Sequence, residues 1–290
     1  MSQRLFCFGL GYSARTLAAR LRAKGWEIAG SVRSADKAAG LRREGIEAVV
    51  FDGARPIDDA AAVLAGTTHA LTSIPPGADG DPVLRHHERD LRRLASLRWC
   101  GYLGTTAVYG DRAGAWVDEG SVIQPLSERA KRRAAAEGWW LASGLPVHLF
   151  RLAGIYGPGR SAFDKLRAGD ARRIDKPGQV FSRIHVDDIA SVLEASITRP
   201  NPGAIYNVAD DCPAAPGDVL AYAAELLGVP APPAIPFDQA DLSPMARSFY
   251  LDNRRVSNAR LAAELGVGLR YPSYREGLRA ILAAERAASA

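Results

Sequence analysis

Gly9-Leu10-Gly11-Tyr12-Ser13-Ala14 follows the apolar run from Arg4 to Phe8 and leads into apolar residues at helical spacing between Ser13 and Ala23. A strand, a glycine turn and a helix in that order aim backbone N–H groups and the positive end of the helix at one point, where a pyrophosphate binds. Gly9 gives the tight turn and Gly11 lets the backbone approach the anion. Ala14 stands where a third glycine is usual and still permits close packing of helix on strand. Gly9, Gly11, Tyr12 and Ser13 are therefore the expected contacts. The competing reading is an ordinary turn that uses glycine only for its φ angles.

The end of the next strand selects the dinucleotide, because a carboxylate there takes the adenosine ribose hydroxyls and a basic group takes a 2′-phosphate. Gly30-Ser31-Val32-Arg33-Ser34 has no carboxylate, and Arg33 with the Ser31 and Ser34 hydroxyls suits NADP(H) better than NAD(H). Asp52 either accepts from the adenine amine or caps the turn that follows it. Pro75, after another strand, falls along the ribose and phosphates by the rule that ligands lie at strand carboxyl ends. His86-His87 lacks any metal-ligand spacing and reads as a solvated helix face, so no metal site is expected.

These residues need a scaffold, and the chain supplies alternating strand and helix patterns. Strands are expected at Glu27 to Val32, Ile46 to Phe51, His69 to Ile74, Trp99 to Thr105 and Val147 to Leu152. Helices are expected at Ala35 to Arg43, Ile57 to Leu64, Asp90 to Leu97 and Ser127 to Ala142. Such alternation implies a parallel sheet. The fold class is α/β, a Rossmann-type doubly wound sheet over residues 1–153 with a smaller C-terminal substrate lobe over 154–290. About 180–208 returns to the main sheet, through strands at Val180 to His185 and Ile205 to Val208 and a helix from Asp188 to Thr198. Prolines 230, 232, 233 and 236 form a linker-like stretch before helical segments at Asn258 to Leu265 and Tyr274 to Ala284.

Further segments fit one family. Thr105-Thr106-Ala107-Val108-Tyr109-Gly110, Arg151 to Gly159, His185-Val186-Asp187-Asp188, Arg254 to Leu265 and Tyr271-Pro272, with the glycine turn, make nearly the whole chain resemble the extended short-chain dehydrogenase/reductase superfamily, or NAD-dependent epimerase/dehydratase family. The resemblance implies a Ser or Thr at Thr105 and a Tyr-x-x-x-Lys pair for proton transfer. That pair is broken: Lys131 is preceded by Ser127 in one register, and Arg129 by four residues precedes Arg133 in the other, so the chain resembles an atypical member without the tyrosine. Thr105, Ser127 and Lys131 remain the catalytic candidates, with Tyr109, Tyr156 or Glu119 as substitute acids. A serine hydroxyl is a far weaker acid than a phenol. Lys131 and Gly154 join the expected cofactor contacts. Glu119, Arg183 and Arg254 are the expected substrate contacts, Arg183 lying two positions from where related enzymes hold a diphosphate-gripping arginine.

Bulk composition narrows the function classes. The 37 basic and 32 acidic residues are dispersed, which argues against a nucleic-acid partner despite the net charge of +5. Cys7, Cys100 and Cys212 form no CxxC pair and point to a reducing compartment. Leu5 to Leu10 is too short for a signal or a membrane span, so no membrane is expected and the location is read as cytoplasmic. A homodimer through the flanking helices is one expected assembly, with Trp139-Trp140 either anchoring it or buried in the monomer. Two functions remain: an NADP(H)-dependent oxidoreductase or epimerase working by hydride transfer on a polar, phosphorylated or nucleotide-sugar substrate, and a non-catalytic dinucleotide sensor or partner-binding protein.

Overall fold

A computed structural model describes residues 3–289. The chain runs β1 (Arg4–Phe8), α1 (Tyr12–Ala23), β2 (Glu27–Val32), α2 (Ala35–Arg43), β3 (Glu47–Val50), α3 (Ala60–Leu64), β4 (His69–Thr72), α4 (Pro82–Arg93) and β5 (Trp99–Thr105). It continues through β6 (Trp116–Val117), α5 (Glu128–Ala142), β7 (Val147–Leu152), β8 (Gly154–Tyr156), α6 (Ala162–Arg167), β9 (Arg173–Asp175) and β10 (Arg183–His185). The last elements are α7 (Val186–Thr198), β11 (Ile205–Val208), α8 (Pro216–Leu227), β12 (Ala234–Pro236), α9 (Pro244–Ser248), β13 (Arg255–Val256) and α10 (Tyr274–Ser289). Two compact units divide this chain: one holds residues up to 105, 128–151 and 190–206, the other 106–127, 152–189 and 207 onward.

The first unit is built on a seven-stranded parallel sheet in the order β11-β7-β5-β4-β1-β2-β3. Strand order reverses between β1 and β4, where Phe6 pairs with Ala29 on one side and Ala70 on the other. Ligands of doubly wound sheets lie outside the strand carboxyl ends at such a reversal. Every residue of β1 is buried, as expected of a parallel strand covered on both faces. Helix α1 lays Ala14, Leu17, Ala18 and Leu21 against the sheet at helical spacing. Phe6, Phe8, Phe51, Tyr102, Trp140 and Leu149 anchor the apolar core.

The second unit pairs its strands in three short parallel ladders, β8 with β10, β9 with β12 and β6 with β13. Its core collects Tyr156, Phe163, Tyr222, Tyr274, Leu278 and Ile281 from β8, α6, α8 and α10. Gly277 of α10 leaves room for the Tyr156 ring, whose hydroxyl occupies the space a Cβ would need.

The observed elements depart from the expected ones in several places: β6, β8, β9, β13, α6 and α9 have no expected counterpart, α3 starts at Ala60 and not Ile57, and β10 at Arg183 and not Val180. Asp90 lies in a helix as expected, but α4 ends at Arg93, short of Leu97, and extends back to Pro82, because Asp81 caps it by accepting from Val83 and Leu84 N–H and Pro82 takes the first helical position. His87 is buried, not solvated: its Nε2 accepts the Ile57 N–H at 3.1 Å, and its ring stacks on Phe8 at 5.6 Å. Helix α8 has no counterpart among the expected elements, although Pro216 at its start and Gly228 in the left-handed region at its end bracket it. The expected helical segment Asn258 to Leu265 is present from Ala259 onward, with Leu261–Leu265 in a π-helical turn, and the proline-rich stretch contributes β12.

Candidate functional site

The glycine turn is fastened from inside the sheet. Gly9 has a φ of +87°, and a Cβ there would come within 2.8 Å of the Ser73 hydroxyl and 3.0 Å of Ile74. Its N–H donates to Ser31 Oγ at 3.1 Å and its carbonyl accepts from Ser73 Oγ at 2.6 Å. Ser31 is fully buried, so its hydroxyl is engaged in holding the turn and is not presented to a phosphate. Gly30 escaped the sequence reading: a Cβ there would meet the Cys7 carbonyl at 2.6 Å and Leu10 at 2.7 Å. A glycine inside an otherwise apolar strand was the available signal of close backbone approach.

Gly11 behaves differently. Its φ of −88° suits any residue, and no heavy atom lies within 4 Å of where its Cβ would stand. It heads α1, whose N-terminus has neither a capping side chain nor an acidic residue in its first turn. A substituent-free backbone at an uncapped helix start is the cradle a pyrophosphate fills, so these residues fit a dinucleotide. Tyr12 is half-buried and Ser13 buried in that first turn.

Arg33 lies just beyond β2, exposed and without a hydrogen bond or ion pair to any described residue. Ser34 starts α2 without a side-chain cap bond. Asp52 Oδ1 accepts the Ala54 N–H at 2.9 Å, so this carboxylate does close a local turn, and it lines a cavity of roughly 280 Å³ with Phe51, Arg55 and Ile57. Pro75 is exposed beyond β4.

Helix α5 settles which side chains face the sheet. Ala130, Ala136, Glu137 and Trp140 are buried, and Arg133, half-buried among them, donates from Nη1 to the Leu103 carbonyl of β5 at 2.6 Å. Lys131 lies on the opposite side, 55% exposed, paired with Glu128 at 2.8 Å. Ser127 is half-buried immediately before the helix, and Thr105 ends β5, also half-buried. Behind Arg133, Glu137 and Arg151 form a buried ion pair at 2.9 Å with both side chains 3% exposed. Gly104 permits it, since a Cβ there would lie 2.9 Å from the Glu137 carboxylate. Burial raises the Glu137 pKa against the opposing pull of Arg151. Trp140 is buried and donates to Asp81 at 3.1 Å, while Trp139 is half exposed.

In the second unit the candidate acids are occupied. Tyr109 is fully buried and donates to Asn207 Oδ1 at 2.7 Å; Tyr156 donates to the Ser273 carbonyl at 3.3 Å, and burial pushes its pKa upward. Glu119 is held by the Asn207 N–H at 2.7 Å, and burial likewise raises its pKa. Arg254 donates to the Gly110 carbonyl at 2.9 Å and pairs with Asp252 at 3.0 Å. Arg183 donates to the carbonyls of Phe181 and Ala214 at 2.9 and 3.1 Å. Asp210, buried near Arg183, has its pKa pushed up to about 7 by burial. Gly154, in β8, donates its N–H to the Ser182 carbonyl at 3.1 Å. His185 lies against Tyr271 at 4.2 Å, and Asp188 accepts the N–H groups of Arg270 and Tyr271, a structural pairing.

Among the described residues no cluster of His, Cys, Asp and Glu could hold a metal ion, and no helix is long and apolar enough to cross a membrane. No protein-family model matches the chain. A structure from Silicibacter pomeroyi DSS, described as a functionally unknown conserved protein, is 54% identical, with 98% of this chain and 99% of that one covered and a TM-score of 0.91. A putative NAD-dependent epimerase/dehydratase from Methylobacillus flagellatus is 28% identical over 98% and 99% of the two chains, with a TM-score of 0.76. Protein YeeZ of Escherichia coli strain K12 is 26% identical over 277 residues, 91% of this chain and 94% of its own. Structures sharing the fold at 15% and 18% identity hold NAD and NADPH respectively. The glycine turn, the reversal of strand order beside it and these full-length likenesses agree: the chain has the Rossmann-type α/β fold of these epimerase/dehydratase structures and is similar to them over nearly its whole length.

Proposed function

We propose that the protein is an NADP(H)-dependent oxidoreductase that transfers hydride to or from a polar, anionic substrate. The observation that carries the NADP(H) choice is Arg33: an exposed guanidinium without a partner among the described residues, at the end of β2, where the sequence has no carboxylate. Gly9, Gly11, Tyr12 and Ser13 would hold the pyrophosphate, Arg33 the 2′-phosphate, Asp52 and Pro75 the adenosine half. Once bound, the cofactor supplies the hydride chemistry at nicotinamide C4.

Thr105, at the carboxyl end of β5, orients the substrate oxygen. Arg133 serves as the cation of α5 in place of the family's lysine, because it lies on the sheet-facing side while Lys131 is paired with Glu128 in solvent. Ser127, at the start of the same helix, relays a proton from water, a slower route than a phenol offers. The test is NADPH consumption, read at its nicotinamide absorbance, with a panel of carbonyl acids. Turnover that falls at least tenfold in Arg133→Met and is unchanged in Lys131→Met supports this assignment; equal losses in both overturn it.

A second reading, a dinucleotide sensor without catalysis, is favoured by the absence of a tyrosine at Ser127 or Arg129 and by the engaged phenols of Tyr109 and Tyr156. NADPH binding with no consumption across the panel would select it.

A further inference from the structure

The second unit holds a cluster of rings and cations that neither the cofactor nor Thr105 explains. Phe237 follows β12 and is tied to β9 through its N–H, which donates to the Asp175 carbonyl at 2.8 Å. The Lys176 ammonium stands 5.1 Å from the centre of its ring and the Arg247 guanidinium 5.0 Å. Tyr250 packs on the same ring at 5.1 Å and on Phe181 at 5.4 Å. All three rings are half-buried, so each keeps an accessible part.

The cations are held in place without being neutralised. Lys176 donates to the Tyr250 carbonyl and Arg247 to that of Ala240, and neither meets a carboxylate among the described residues. Two like charges on one ring repel, and cation–π attraction of about 0.5–2 kcal/mol each offsets this only in part. An anion would satisfy both. Nearby, the Gln179 amide nitrogen donates to the Asp252 carbonyl at 2.7 Å, while its buried Oε1 has no partner.

The same geometry disfavours a diphosphate. Gripping one takes a guanidinium fork free to bond two oxygens. Arg183 has one fork nitrogen committed to two backbone carbonyls, and Phe181 is the residue two positions before it. We infer that this cluster recognises the substrate, and that the substrate is a planar aromatic ring bearing a carboxylate, with Phe181, Tyr250 and Phe237 taking the ring and Lys176 and Arg247 the charge. Calling the ligand a substrate rests on the oxidoreductase reading; the binding itself does not require the cofactor.

The experiment is calorimetric titration of 4-hydroxybenzoate, and separately of UDP, into the full chain and into Lys176→Met, Arg247→Met and Phe237→Leu. 4-Hydroxybenzoate should bind at least tenfold more tightly than UDP and lose at least tenfold in each variant that keeps the wild-type circular dichroism. The three substitutions lie on different segments, so failure of one to fold leaves the others to decide. Tighter binding of UDP, no binding of 4-hydroxybenzoate, or affinity unchanged in the folded variants would overturn the inference. NADPH titrated in parallel reports on the first unit alone: its failure to bind would remove the oxidoreductase reading and leave the aryl-acid site standing.

Discussion

Gly9 and Gly11 are two residues apart and do different work, which a pair of alanine substitutions separates. At Gly9 a Cβ must enter the left-handed region and press on Ser73, so Gly9→Ala should cost about 1–3 kcal/mol of stability in urea unfolding. At Gly11 the backbone is ordinary and the space open, so Gly11→Ala should unfold at the wild-type urea concentration while weakening NADPH at least tenfold by titration. Equal destabilisation by both would mean that the second glycine serves packing alone. The turn was legible in the sequence because its two glycines sit between a strand pattern and a helix pattern, all within local reach. Ser31 and His87 were not: whether a hydroxyl faces a ligand or a neighbouring backbone N–H, and whether a histidine faces solvent or Phe8, depends on strands distant in the chain.

At the level of elements, α5 carries the clearest consequence. Glu137 and Arg151 tie α5 to β7 through a pair withdrawn from water, and removing one partner strands the other charge. Arg151→Met should therefore cost about 3–5 kcal/mol, and adding Glu137→Met should recover much of that loss in a double-mutant cycle. Simple additivity of the two losses would contradict the pairing. The limits of α5 were readable to within one residue, but its rotation was not. Ser127 and Lys131 show the family's four-residue spacing as plainly as Arg129 and Arg133 do, and only the burial of Ala130, Glu137 and Trp140 tells which cation turns inward. The start of α4 is a local matter, set by the Asp81 cap and by Pro82 at the first helical position.

For the molecule as a whole, the parallel doubly wound sheet and the family resemblance were accessible from the sequence but the strand order was not, and the ring and cation cluster of the second unit joins segments dozens of residues apart and had no local signature. Buried histidines set part of the pH response. His148, wholly buried, donates from Nδ1 to the Pro146 carbonyl and accepts the Asn201 N–H at Nε2, and burial lowers its pKa to about 4. Its folded pKa lies below the unfolded value of 6.5, so its contribution is full above pH 6.5 and is lost as the pH falls toward 4. Between pH 7 and 5 the wild type should lose about 2 kcal/mol more than His148→Gln does, read by urea unfolding at each pH; parallel losses would contradict this. The central claim, an NADP(H) site built from the glycine turn and Arg33, is tested most directly by calorimetric titration of NADPH and NADH into the wild type and Arg33→Ala. The account predicts at least tenfold tighter binding of NADPH to the wild type and near-equal binding of the two to the variant. Failure of both nucleotides to bind, or an NADPH preference that survives Arg33→Ala, would contradict it.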